Sequence, residues 1–267
     1  MKIELFGEIV SDEWLWIYQL FGIPCCCPGQ VRQALANLPA GEELIVEINS
    51  PGGDVWAGFE IFGLLQACPA HTEAHIISMA ASAATTAMCG CDTVLASPVA
   101  QIMVHQPSAA VHDYINNTGA RQLQNFLDSV KASILNGYMV KCAGKASRAE
   151  LEALVDSSTW MPVQDAIDLG LVDGLLDTDE ELEALLAKAG GVVVRNAAGI
   201  SPAPKALLDR YEAAVKAGTM QEVPGHPVSK PAQAAAAAAE DLEIVNSLVG
   251  NWKMGAALEL ERARGVL

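Results

Sequence analysis

A chain of 267 residues is long enough for one large domain, or for one domain with an appendage. Hydrophobic residues make up 51% and charged residues 18%, which excludes a disordered or fibrous protein. The formal net charge of −16 argues against nucleic acid as a partner, because phosphate backbones are bound largely through Lys and Arg.

The N-terminal residues Met1 to Val10 mix apolar and charged side chains and lack the apolar stretch of a secretory signal. No window approaches the roughly 18–20 apolar residues needed to span a bilayer. A cytoplasmic location without membrane attachment is therefore expected. Seven cysteines, an odd number, argue for reduced thiols. Neither the Cys25–Cys27 run nor Cys89-Gly90-Cys91 has the paired spacing of a zinc site, so no metal or cofactor is expected. Cys27-Pro28-Gly29 suits the start of a helix through Val31 to Leu38.

In chain order, Lys2 to Val10 reads as a strand, followed by that helix. Glu43 to Asn49 is a β-rich run, and Ser50-Pro51-Gly52-Gly53 is expected to end it in a tight turn. Val55, Phe59, Phe62 and Leu65 recur at helical spacing up to Gln66. His75-Ile76-Ile77 reads as a short strand, and the small-residue stretch Met79 to Met88 as a helix. Thr93 to Ala96 and Gln101 to Val104 are two more strands. Alternation of strand and helix with short connections predicts a parallel sheet covered by helices. Leu123, Phe126, Leu127, Val130, Ile134 and Tyr138 predict a long helix over Tyr114 to Cys142. Ser147 and Glu150 form a capping box ahead of a helix to Leu154, and Val163 to Leu169 reads as another helix.

Beyond about Asp177 the character changes. Glu180 to Ala189 reads as a charged amphipathic helix, and Gly190 to Val194 as a short apolar strand or spacer. Several prolines follow, then the low-complexity run Ala234–Ala239 and an amphipathic segment from Leu242 to Leu267. The division expected is a catalytic domain over 1–177 and a helical appendage over 178–267.

Three stretches stand out: Ser50 to Asp54, Ser78 to Ala84, and Met103 to Pro107. Ser82 follows a strand and is flanked by Ala80, Ala81, Ala83 and Ala84, which leaves room for a substrate carbonyl. Taken alone, a serine in such a stretch is usually a packing residue, since no local motif names a base. His105 ends a strand, where reactive groups gather in open parallel sheets. His71, His75, His112 and His226 have settings that suit surface roles, leaving His105 as the better base. Gly52 and Gly53 let the backbone approach a bound chain, and their N–H groups with that of Ala83 suit an oxyanion site. In isolation the same glycines make an ordinary turn.

Ile48-Asn49-Ser50-Pro51-Gly52-Gly53, Ala80-Ala81-Ser82 and Met103-Val104-His105-Gln106-Pro107 resemble the three signature blocks of the Clp proteolytic subunit family, in order and at similar spacing. Ala166 to Asp173 resembles that family's closing segment, so the likeness covers about residues 1–176. Asp54 and the long C-terminal extension look more like the phage head-maturation branch. The resemblance implies an α/β fold with a parallel sheet of the type shared with the crotonase superfamily, and a helical handle over about 114–142. It implies Ser82 as nucleophile, His105 as base, and the N–H groups of Gly53 and Ala83 as the oxyanion hole. It further implies ring homo-oligomers, commonly heptameric, stacked through the handle.

Two departures stand out. The family usually has Gly where this chain has Ser78, a change expected to be tolerated on the outside of a turn. Its acidic triad member falls on Ser158, and the nearest carboxylate is Asp156. Three readings follow: a head-maturation peptidase cleaving capsid or scaffold proteins, a housekeeping subunit working with an AAA+ unfoldase, and an inactive assembly component that keeps the fold.

Overall fold

The computed structural model describes residues 1–111, 114–176, 203–226 and 228. The chain divides into two units between Pro204 and Lys205. The first is built on an eight-stranded sheet, with strands β1 (Lys2–Ile9), β2 (Cys25–Cys26), β3 (Leu44–Gly53), β4 (Thr72–Ala81), β5 (Thr93–Ala96), β6 (Gln101–Val104), β7 (Thr159–Pro162) and β8 (Gly174–Leu175). Its helices are α1 (Leu15–Leu20), α2 (Pro28–Ala36), α3 (Val55–Gln66), α4 (Ala83–Met88), α5 (Asn117–Cys142), α6 (Arg148–Asp156) and α7 (Val163–Leu169). The main path runs β2-β1-β3-β4-β5-β8, all parallel, as the alternating pattern predicts. The expected α/β class with a parallel sheet flanked by helices is what the chain adopts.

Strand β4 changes partner along its length. Its first half, Glu73 to Ile76, pairs with β5, and its second half, Met79 to Ala81, pairs with β6. β6 then pairs antiparallel with β7, an element the sequence pattern does not announce. Strand residues alternate between faces. Leu44, Val46, Ile48, Ala74, Ile76 and Val94 share one continuous core with Ile61 and Leu65 of α3 and Ile134 and Tyr138 of α5.

Several expectations are corrected. Ser50-Pro51-Gly52-Gly53 is not a tight turn, because β3 continues through Gly53 and pairs Gly52 with Glu8 and Gly53 with Ile9. Register shifts in β1 between Phe6 and Glu8, and in β3 between Ile48 and Ser50, absorb the irregular Pro-Gly-Gly backbone within the sheet. Met79 to Met88 is not one helix. Residues through Ala81 complete β4, and the helix begins only at Ala83. Ser78 accordingly lies in a strand rather than outside a turn, and its Oγ donates to Asn49 Oδ1 at 2.6 Å. His75 is not at the surface: it is 3% exposed, on β4, with Nε2 2.6 Å from Glu73 Oε1.

The capping expectations hold. The Cys27 N–H donates to the Gln30 side chain at the head of α2 (2.9 Å), and Ser147 with Glu150 forms the capping box of α6. Helix α5 begins at Asn117, three residues later than expected, capped by the Asn116 side chain. Its C-terminal half is buried through Val130, Ile134 and Tyr138, whereas Phe126, on the same expected stripe, is 47% exposed. The N-terminal half of α5 thus projects from the core. Its other end is fixed by Lys141, whose Nζ donates to Asp173 Oδ2 (2.6 Å) and the Asp92 carbonyl (3.1 Å). The closing segment turns at Gly170, the left-handed cap of α7, and leads into β8 beside β5.

In the second unit the described part contains helix α8 (Pro204–Lys216). The buried Tyr211 hydroxyl accepts from the Val223 N–H and donates to the His226 carbonyl, both at 2.8 Å. The expected helix over Glu180 to Ala189, the Gly190–Val194 spacer, the Ala234–Ala239 run and the Leu242–Leu267 segment lie outside the described residues, as does His112. No described helix is long and apolar enough to cross a membrane.

Candidate active site

Where β4 gives way to α4, Ser82 occupies the N-cap position with φ 56° and ψ −121°. A non-glycine residue with positive φ is strained, at a cost of order 1–3 kcal/mol, and persists only where its surroundings hold it. Here the Ser82 N–H donates to the Met103 carbonyl at 2.9 Å, continuing the β4–β6 pairing one step beyond Ala81. The Thr85 N–H donates back to the Ser82 carbonyl at 3.0 Å and starts α4. A sharp strand-to-helix reversal thus presents the Ser82 hydroxyl while its backbone is tied down on both sides.

β6 brings the partner. His105 follows its last residue, Val104, and its Nε2 lies 2.6 Å from Ser82 Oγ. Burial holds the His105 imidazole below its ordinary pKa of 6.5, so the ring is poised to accept a proton near neutrality.

The glycines of β3 pack directly on this reversal. A Cβ on Gly52 (φ 91°) would lie 2.8 Å from Ser82 Cβ, 2.8 Å from the Ala83 nitrogen and 2.5 Å from the Ala81 carbonyl oxygen. Only glycine fits. The Gly52 N–H is already engaged by Ser50 Oγ at 3.1 Å, and the Asp54 N–H by the Ile9 carbonyl at 2.8 Å. Asp54 caps α3 by accepting from the Ala57 N–H at 2.8 Å.

Asp156 makes no hydrogen bond to His105. Its carboxylate accepts from Gln106 Nε2 at 2.8 Å and Lys131 Nζ at 3.1 Å, and the lysine holds its pKa below the usual carboxylate value. Among the described residues, no carboxylate hydrogen-bonds the His105 ring. The β6–β7 ladder ends with Val104 paired to Thr159, the residue after Ser158. Ser158 is itself left-handed, with φ 52°.

Thr85 and Gln106 are features of this site that spacing alone does not reveal. The only sequence signal is their place, three residues after Ser82 and one after His105. No group of three or more His, Cys, Asp or Glu able to hold a metal occurs among the described residues.

Residues 31–179 match the family model described as Clp protease, more than half of the chain. The chain belongs to the Clp protease family. It is 31% identical over 144 residues to the ATP-dependent Clp protease proteolytic subunit 1 of Chlamydia muridarum, covering 53% of this chain and 74% of the relative. The same figures hold for the subunit of that name in Chlamydia trachomatis serovar D. That of Protochlamydia amoebophila is 28% identical over 146 residues, covering 54% and 70%. The family match opens inside α2, so β1, which seats Gly53 through Ile9, lies ahead of it. Membership makes a serine peptidase the enzyme class of this Clp protease fold.

Proposed function

We propose that this chain is an active serine endopeptidase in which Ser82 attacks the scissile carbonyl and His105 Nε2 takes its proton. The observation that carries the reading is the 2.6 Å approach of His105 Nε2 to the hydroxyl of a strained strand-end serine. Such a pair is the geometry of an activated nucleophile. The N–H groups of Gly53 and Ala83 would receive the developing oxyanion. The imidazolium then protonates the leaving amine, and water, deprotonated by the same ring, hydrolyses the acyl-enzyme.

Among the described residues no carboxylate bonds the His105 ring, Asp156 being engaged by Lys131 and Gln106, so we read the pair as a dyad. A carboxylate's task in a triad is to fix the imidazole's tautomer and orientation, so its lack lowers the rate without abolishing it.

For the biological role, we favour head maturation: cleavage of capsid or scaffold proteins by a ring of these subunits. Support comes from Asp54 after the double glycine and from the extension beyond about residue 177, both likenesses to the phage branch. The names of the chlamydial relatives favour a second reading, a degradative subunit that works with an AAA+ unfoldase. Ser82→Ala co-expressed with the substrate capsid or scaffold protein is expected to leave it uncut. Unchanged processing would refute the head-maturation reading. Fluorophosphonate labelling of the wild-type protein at Ser82 separates either enzyme from an inactive assembly component.

A further inference from the structure

Thr85 is fully buried on the first turn of α4, three residues beyond Ser82. Its Oγ1 lies 2.8 Å from the Ala80 carbonyl oxygen and 2.7 Å from the Met103 carbonyl oxygen. Ala80 is two residues before the serine on β4, and Met103 two before the histidine on β6. The Met103 carbonyl also accepts the Ser82 N–H. One side chain therefore touches both strands whose ends carry the reacting pair, from beneath the reversal that presents Ser82. A threonine hydroxyl has one proton and can donate fully to only one carbonyl at a time. Sharing it between the two holds both carbonyls within hydrogen-bonding distance and fixes the spacing of β4 and β6 where their pairing ends.

We infer that Thr85 is a positioning residue that sets the Ser82–His105 distance by clamping these two carbonyls. The inference rests on the peptidase reading above. It places no part of Thr85 on the substrate, so losing the hydroxyl should slow acylation without weakening substrate binding. A reacting pair displaced by about 1 Å loses on the order of 10²-fold in rate.

The test uses the full-length protein and a fluorophosphonate as the probe of acylation. Thr85→Val keeps the shape and removes the donor, Thr85→Ala removes both, and Thr85→Ser restores the hydroxyl alone. Thr85→Val is expected to label Ser82 about 10- to 100-fold more slowly at saturating probe, with the half-saturating concentration unchanged. Thr85→Ser should stay within about threefold of wild type, an expected rescue because it keeps the donor. If Thr85→Val does not fold, Thr85→Ala against Thr85→Ser makes the same comparison. Hydroxyl-free variants that fold and label at the wild-type rate would overturn the inference, and so would Thr85→Ser as slow as Thr85→Ala.

The ¹⁵N resonance of His105 Nε2 gives a readout that does not require turnover. It should move in the hydroxyl-free variants and return in Thr85→Ser, and an unmoved resonance overturns the clamp. A wild-type protein that fails to label, with this NMR pattern intact, refutes the peptidase reading and leaves the clamp standing.

Discussion

His105 is the residue on which the chemistry turns, and its surroundings set a pH dependence. Burial favours the neutral ring, so the folded-state pKa lies below the 6.5 of a free imidazole. A base must be neutral to act. Ser82 acylation is therefore expected to be on its plateau at neutral pH and to fall along a one-proton limb with a midpoint below 6.5. The same shift acts on stability with a definite sign. As pH drops past 6.5, the unfolded chain takes up this proton first, so stability declines until the folded-state pKa is passed. Because Ser158 adjoins Thr159, the partner of Val104, Ser158→Asp is expected to bring a carboxylate near the ring and favour the imidazolium. The acid limb should move up by about 1 pH unit and the plateau rate should rise. Asp156→Asn serves as the comparison and should leave both nearly unchanged. Rates of fluorophosphonate labelling between pH 5 and pH 9 measure all three proteins. A limb that moves with Asp156→Asn and not with Ser158→Asp would reverse the assignment.

Between elements, the decisive contact is that of β3 with the β4–α4 reversal. Gly52 lies so close to Ser82 and Ala83 that no side chain can be inserted without moving the nucleophile. Gly52→Ala also forces a Cβ onto a backbone at φ 91°, costing about 1–2 kcal/mol of stability. The expected outcome is a folded protein with a lower urea midpoint and labelling reduced by about 10²-fold, the scale of a ~1 Å displacement. A variant that loses stability yet labels normally would show that the glycine serves the sheet rather than the site. The helices made fewer demands on the tertiary structure. α3, α6 and α7 follow their periodicity and caps, because those signals are local. The errors fall on β3 and β4, where Pro51, Gly52 and an alanine-rich run carry weak local preferences and strand neighbours decide.

For the whole molecule, the reacting pair and the strands around it lie in the first of the two units, before residue 177. The second has an anchor of its own in Tyr211, which joins α8 to Val223 and His226. A chain ending at residue 177 is expected to fold and to label Ser82 at close to the full-length rate. Circular dichroism and labelling check this, and loss of either would mean that the C-terminal residues complete the catalytic unit. The family match ends close to the same place, at residue 179.

The α/β order and the helix caps could be read from residue types in order, since each rests on short-range spacing, whereas the roles of Ser82, His105, Gly52 and Gly53 came from their resemblance to the Clp signature blocks. Their relation in space could be read from neither. Only the folding of β4 past Ser78 to Ala81 and its change of partner from β5 to β6 bring residues 82 and 105 together, and the antiparallel return of β7 sets Thr159 beside Val104. Those pairings join positions tens of residues apart, and register between distant strands is settled by the packing of the whole sheet. The same long-range geometry drew Asp156 to Lys131 and Gln106 and put Thr85 beneath the serine, which no local pattern records.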